Sequence, residues 1–313
     1  MPVTIFPLAR RHANRTLERW APRLSEFLEQ FRLLLKDRRY FYFKQGRSFD
    51  GLSNDFPLPR RIDIETISKC NSTCSFCPVN RLSDPRPTMR MSEALYRKII
   101  DDLASHRFAG LLSLYSNNEP FLDKRIFDFA AYARCTLPKA RITIFTNGTP
   151  LNIAKIEKIL PSIDLLRINN YNYTPELHSN IREIVAHLDS SRPELARKVH
   201  VFRRLLDERN SNRAGNAPNR RRVVGTYRSR CAYPFFEMVV RPDGKLSLCC
   251  NDALGEKTLG DLSVQSVSEA WSDSRRHHVQ ELMLKGRDKL DICRHCDNQL
   301  VAKPKRVAAR DLY

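Results

Sequence analysis

The chain lacks any apolar run long enough to cross a bilayer; a stretch such as GLLSLY (110–115) is only strand length. It also lacks a secretory h-region, because MPVTIFPLARRHANR turns basic too early for a signal peptide. With neither feature, the cytoplasm is the expected compartment and no transmembrane segment is expected. Internal repeats, low-complexity tracts and recognised nucleic-acid-binding motifs are missing too. That last absence matters, because Lys and Arg number 54 against 35 Asp and Glu, a formal charge of +19. Such a charge is compatible with nucleic acid, an anionic membrane surface or an acidic substrate. Here it is dispersed, with a local excess at 203–230, and reads as an arginine-rich solvated surface. Nucleic acid is not an expected partner.

What is present is a length of 313 residues, enough for one large α/β domain plus a smaller appendage. Nine cysteines stand out. Thiols stay reduced in the cytoplasm, so their clustering points to metal or redox chemistry rather than disulfides. Cys70, Cys74 and Cys77 form one group; Cys231, Cys249, Cys293 and Cys296 form another, with Cys250 beside it. Cys135 stands apart and reads as a core residue.

Residues 15–38 carry Leu17, Trp20, Leu24, Phe27, Leu28, Phe31, Leu34 and Leu35 at near-helical spacing. They predict an amphipathic helix packed on the main domain, with membrane or partner docking as the alternative. Residues 46–59 read as a loop. From residue 61 strands and helices alternate: strands at 61–67, 111–115, 141–146, 163–169 and 198–204, and helices at 91–107, 124–135, 152–160 and 175–189. Ser92 is an N-cap candidate. This order implies right-handed crossovers and a parallel sheet, open or curled towards a barrel, with ligands at the carboxyl ends of its strands. Residues 205–230 read as a basic linker or lid. FFEMVVRPDGKLSLCC (235–250) reads as a hairpin turning at Pro242-Asp243-Gly244, and 266–286 as a helix ending at Gly286.

The stretch KCNSTCSFCPVN (69–80) carries the chemistry. A structural zinc site wants four ligands, commonly in two close pairs. A C-x3-C-x2-C arch gives three thiolates, which suits a [4Fe–4S] cluster with its fourth iron open to an outside ligand. Three cysteines so spaced after the first strand of a β/α series resemble the radical S-adenosylmethionine superfamily. Phe76, the aromatic residue before the third cysteine, matches the position that lies near the adenine in that family. In YSNNEP (115–120), Asn117, Asn118 and Glu119 stand where the family carries its Gly-Gly-Glu-Pro motif for the methionine amino group. Both glycines are replaced by asparagine, while the glutamate is kept. FTNGT (145–149) resembles the ribose-contacting segment, with Thr146 and Asn147 as the contacts. The resemblance implies a partial (β/α)6 TIM-like barrel at 61–204, between an N-terminal helical extension (1–60) and the linker. It also implies reductive cleavage of S-adenosylmethionine to a 5′-deoxyadenosyl radical that takes hydrogen from substrate, the electron coming from a protein such as flavodoxin or ferredoxin.

The later cysteines resemble the first part of the SPASM extension of that superfamily, over 231–300, with 301–313 as a tail. Cys231, Cys249, Cys293 and Cys296 could fully ligate one auxiliary [4Fe–4S] cluster; zinc suits four thiolates equally well. Cys250 is then spare. It is either structural or a hydrogen-atom donor to a substrate radical, as in an epimerase; a structural Cys250 suits a dehydrogenase instead. His295 stands where it could hydrogen-bond a cluster sulfur. Asn210, Asn212, Arg213 and Asn216, with Arg167, Asn169, Asn170 and Tyr171, suggest a hydroxyl-rich or anionic small-molecule substrate such as a sugar, aminocyclitol or nucleotide-like metabolite. The alternative is a maturase of a ribosomal precursor peptide, for which the first 60 residues look too short to hold a leader-binding domain. A degenerate module that merely retains clusters is disfavoured by the intact triplet and Glu119.

Overall fold

The computed structural model describes residues 2–7, 24, 27–28, 31–32, 35, 58–220 and 226–298. Its strands are β1 (Thr4–Phe6), β2 (Arg61–Ile64), β3 (Leu111–Ser113), β4 (Arg141–Thr146), β5 (Leu165–Asn172), β6 (Val199–Leu205), β7 (Glu237–Val240), β8 (Lys245–Ser247) and β9 (Thr258–Asp261). They form a single sheet in the order β1-β6-β5-β4-β3-β2-β7-β8-β9. Every pair from β1 through to β7 is parallel, while the β7–β8 and β8–β9 pairs are antiparallel. The sheet is a partial barrel with a C-terminal antiparallel extension.

Four helices make the crossovers: α1 (Glu93–Ser105), α2 (Ile126–Thr136), α3 (Ile153–Ile159) and α4 (Ser179–Ser191). Ser92 caps α1 by accepting from the Leu95 N–H, and Asn152 caps α3 from Lys155 N. The helices bury one stripe each, Tyr96, Ile99, Ile100 and Leu103 in α1, against strands such as β2 whose residues are buried on both faces. This layer covers the outside of the barrel and leaves the carboxyl strand ends for chemistry.

Several expectations are corrected. β1 pairs with β6 at the sheet edge, and Phe6 stacks on Phe202 at 4.2 Å; a three-residue strand carries too little period to be read from sequence. In the amphipathic segment, positions 24, 27, 28, 31, 32 and 35 are helical, but Leu24, Phe27, Leu28, Phe31 and Leu35 are exposed rather than packed on the barrel. Leu17, Trp20, Leu34 and most of the 46–59 loop lie outside the described residues, as does the 301–313 tail. Cys135 is exposed, because it falls off the buried face of α2 formed by Ile126, Phe129, Ala130 and Ala133. The helix expected over 266–286 breaks into α5 (Val267–Trp271) and α6 (Ser274–Lys285), because Asp273 turns out and caps α6.

The C-terminal module is joined to the barrel by hydrogen-bonded pairing. β7 lies beside β2, with Arg61 opposite Glu237 and Asp63 opposite Val239. Arg61 Nε sits 2.7 Å from Asp63 Oδ1 and 3.5 Å from Glu237 Oε1, so opposite charges close the seam inside the protein. The β7–β8 hairpin turns at Gly244, whose φ of 85° lies in the left-handed region.

Candidate active site

The first thiol group sits on the loop that leaves the end of β2. Backbone bonds fold it into an arch: Cys77 N donates to Cys74 O at 3.1 Å and Arg81 N to Ser72 O at 2.8 Å. Asn80, which no motif pointed to, locks the arch by donating to Cys74 O (3.2 Å) and Cys77 O (2.7 Å). Ser72 supplies short contacts to sulfur, its N–H 3.4 Å from Cys70 Sγ and its hydroxyl 2.9 Å from Cys74 Sγ. Burial pushes the Cys70 and Cys74 thiols up to about 12, and Cys77 up as well.

Glu119 ties neighbouring strand ends to this arch. Its carboxylate accepts from Thr146 Oγ1 (2.8 Å) and Phe121 N (3.1 Å) on Oε1 and from Asn147 N (2.7 Å) on Oε2, while its own N–H donates to Lys69 O at 2.9 Å. Burial pushes its pKa up to about 7 against those donors. A carboxylate has about four acceptor sites, so one remains for a ligand. Asn147 also donates to Asn71 Oδ1 at 2.8 Å and reaches within 3.9 Å of Cys70 Sγ. Asn118 Oδ1 accepts from Ser116 N, and its Nδ2 is buried with no hydrogen-bond partner among the described residues. Phe76 is buried with its ring 5.5 Å from that of Tyr171 at the end of β5.

The second group is gathered from three separate segments. Cys231, Cys249, Cys293 and Cys296 line one cavity together with Ala214 and Met283. The buckle is Arg287, fully inside, which donates to Ser229 O (2.7 Å), Cys296 O (2.9 Å), Asn298 O (2.9 Å) and Arg230 O (3.3 Å). Nothing in the sequence marked it. Burial raises all four thiols, and Arg287 opposes that for Cys231, Cys293 and Cys296.

Cys250 does not line this cavity. Its N–H donates to Glu237 Oε2 at 2.9 Å, and its carbonyl accepts from Asn117 Nδ2 at 3.3 Å. Burial raises its pKa, and the charges acting on it are Glu237, Arg61, Asp63 and Arg213, which face it from β7, β2 and the 213 turn. Arg213 stands between the two thiol groups. Its charge acts on Cys77, Cys250, Tyr115 and Cys249, its Nη2 donates to Asn117 Oδ1, and its Nε is buried without a hydrogen-bond partner among the described residues. Asn117 therefore spends its side chain on Arg213, the Cys250 carbonyl and the Ser116 hydroxyl, to which its Nδ2 donates at 3.2 Å. The other polar residues expected near substrate are split: Asn216 bonds Glu256 (2.5 Å), and Asn170 ties a turn to His178 and Glu176. His295 Nδ1 is buried and unpartnered among the described residues. Tyr115, Asp63 and Glu237 join the site without a sequence motif; the available signal was an acidic residue in each of two buried strands, Asp63 between isoleucines in β2 and Glu237 at the head of apolar β7.

Among the described residues no set of three or more His, Cys, Asp or Glu side chains closes on a point as the ligands of one metal ion do. A cubane cluster asks for something else, one thiolate at each of several separate corners. Both groups fit that demand. Their donors are soft sulfur alone, and these buried thiols, unfavourable as free anions, would be stabilised as thiolates by the positive charge of a bound iron cluster.

Comparison with known proteins agrees. Residues 64–197 match the radical SAM superfamily, and residues 231–297 match SPASM, an iron–sulfur cluster-binding domain. An S-adenosyl-L-methionine-dependent 2-deoxy-scyllo-inosamine dehydrogenase of Niallia circulans is 29% identical over 238 residues, covering 76% of this chain and 92% of that protein. The crystal structure of BtrN in complex with AdoMet and 2-DOIA superposes with a TM-score of 0.68 at 27% identity, over 79% of this chain and 96% of that one. Native anSMEcpe with bound AdoMet shares the fold, with a TM-score of 0.52 at 14% identity over 80% of this chain and 92% of that one. The matches at 64–197 and 231–297, which take in the three thiols after the first central strand and the four around the C-terminal cavity, identify a radical S-adenosylmethionine domain followed by a SPASM domain.

Proposed function

We propose that the protein removes a hydrogen atom from a ring carbon of a polar, hydroxyl-rich small molecule of the aminocyclitol type and completes the reaction as a dehydrogenation. The observation that carries this reading is Arg213, set between two thiol groups in a chain that matches a 2-deoxy-scyllo-inosamine dehydrogenase over 92% of that protein's length.

Cys70, Cys74 and Cys77 hold the first cluster, and Cys231, Cys249, Cys293 and Cys296 hold the second. The free acceptor site of Glu119 takes the methionine amino group beside Asn117 and Asn118, Thr146 and Asn147 meet the ribose, and Phe76 lies against the adenine. When bound, the first cluster and S-adenosylmethionine supply a 5′-deoxyadenosyl radical, given an electron from a donor such as flavodoxin or ferredoxin. The second cluster supplies an electron acceptor. A carbinol carbon that has lost its hydrogen atom must still lose one proton and one electron to become a carbonyl. Arg213, through its free Nε, holds a ring oxygen and as a fixed cation favours the deprotonated form of that oxygen. Incubating the reduced, cluster-loaded protein with 2-deoxy-scyllo-inosamine should give a product two hydrogens lighter. No 5′-deoxyadenosine above the substrate-free background would refute this substrate class.

Cys250 favours a second reading. Its thiol lies outside the four-thiol cavity and among the groups that face Arg213, where it would give its hydrogen atom to the substrate radical and invert a stereocentre; the thiyl left behind would regain the thiol by taking a proton from solvent and an electron from the reduced second cluster. That outcome gives an isomer of unchanged mass in ordinary water and one mass unit heavier in heavy water, lost in Cys250→Ala. A lighter product unaffected by that substitution refutes it.

A further inference from the structure

Residues 206–220 do more than connect the barrel to the cluster-binding module. At one end the segment is sewn to the first thiol loop through Ser75, which lies between Cys74 and Cys77. Ser75 N donates to Leu206 O at 2.9 Å, and Asn219 meets Ser75 through its N–H (3.1 Å, to Ser75 O) and its Nδ2 (2.9 Å, to Ser75 Oγ). At the other end it is sewn to the C-x2-C loop. Asn212, with no exposed surface, forms a reciprocal pair with Asp297: Asn212 N donates to Asp297 Oδ1 at 2.8 Å, and Asp297 N to Asn212 Oδ1 at 3.1 Å. Asn212 Nδ2 adds a bond to His295 O at 2.6 Å, and Arg220 Nε closes on Asp297 Oδ2 at 2.9 Å.

Between these anchors the backbone takes an unfavourable shape. Arg213, Ala214 and Gly215 have φ of 50°, 57° and 93°, and the first two are side-chain-bearing residues in the left-handed region. Such a turn persists only where its surroundings over-determine it. It aims the Arg213 guanidinium at Asn117 and sets Ala214 in the wall of the four-thiol cavity.

We propose that Asn212 and Asp297 are positioning residues for Arg213, so that the C-x2-C loop, and with it the auxiliary site, sets where the substrate-facing cation stands. This rests on the reading of Arg213 given under Proposed function. It implies that the auxiliary module contributes to substrate affinity as well as to electron acceptance.

Two measurements on the cluster-loaded full chain test it, one independent of substrate. The amides of Gly215, Asn216 and Ala217 are bonded within the turn, to the carbonyls of Asn212 and Arg213. In Asn212→Ala their hydrogen exchange should quicken by roughly ten-fold, while β7 amides keep wild-type rates. Asp297→Asn keeps an oxygen for Asn212 N but loses the Arg220 ion pair, and should fall between the two; it also serves if the alanine variant folds poorly. Unchanged exchange over 212–217 in both variants overturns the proposal. With 2-deoxy-scyllo-inosamine as probe, Asn212→Ala should lower kcat/KM roughly ten-fold, through a higher KM and a lower kcat together, and should add nothing in an Arg213→Lys background. Additive effects in that cycle overturn the link to Arg213. If wild type does not turn over this probe, the substrate reading fails, and the exchange measurement alone decides whether the C-x2-C loop holds the turn.

Discussion

Glu119→Gln tests the central claim that one buried carboxylate knits the arch to the strand ends. Gln has one acceptor oxygen where Glu has two, and its amide nitrogen only donates. In wild type Oε2 accepts the Asn147 N–H at 2.7 Å, and Oε1 accepts the Phe121 N–H at 3.1 Å together with the Thr146 hydroxyl at 2.8 Å. Whichever way the amide is turned, its NH2 faces one of two backbone N–H groups, and that donor is left buried without a partner. Leaving such a group unsatisfied costs about 1–3 kcal/mol, which lowers Tm by roughly 2–4 °C per kcal/mol in a domain of 150–250 residues. Thermal unfolding of the reconstituted protein, variant beside wild type, reads this without any substrate. A Glu119→Gln protein that melts with wild type would mean that the three bonds do not hold the site together.

Because the Glu119 pKa is pushed up to about 7, the carboxylate is about one-tenth ionised at pH 6 and nine-tenths at pH 8. Only the ionised form attracts the methionine amino group, so S-adenosylmethionine affinity should rise up to about ten-fold from pH 6 to pH 8; a flat profile by equilibrium dialysis, or the same slope in Glu119→Gln, would refute the assignment. Cys74→Ala should abolish 5′-deoxyadenosine formation and cut iron from about eight to about four per chain, whereas Cys293→Ala should lose iron but keep 5′-deoxyadenosine formation. Equal loss of 5′-deoxyadenosine in both would contradict separate roles. Gly148→Ala places a Cβ 2.7 Å from Ile168 Cγ2 and 2.9 Å from Ile181 Cδ1 at a φ of 81°. A left-handed alanine costs about 1–2 kcal/mol and overpacking about 1–3 kcal/mol, so urea unfolding should show a loss of at least about 2 kcal/mol.

Much of the site could be read before folding because its chemistry is local. Three thiols within eight residues can sit on one arch whatever surrounds them, and the chain's own spacing sets which kind of cofactor suits them. The β/α alternation is legible for the same reason: crossover helices and buried strands each carry a short hydrophobic period. Ser92 caps as its sequence context predicts, and Asn152 caps α3 by the same local means, because a cap needs only its own next turn. Isolated features such as the exposed side of Cys135, the edge strand β1 and the break at Asp273 depend on which face meets a neighbour, and no local period encodes that.

By itself, then, the sequence determined the two thiol groups, the order of strands and helices and the likeness to radical S-adenosylmethionine enzymes. Tertiary structure alone decided that β7 would pair with β2, that Arg287 would gather distant segments around the second cavity, and that Cys250 would lie off it beside Glu237. It also decided that Arg213 would stand between the two groups. Each of these joins residues tens to hundreds of positions apart, such as Asn117 and Arg213 or Asn212 and Asp297. A hydrogen bond across such a separation leaves no periodicity in the chain; it exists only where packing brings a buried donor and a buried acceptor together and neither has water to turn to.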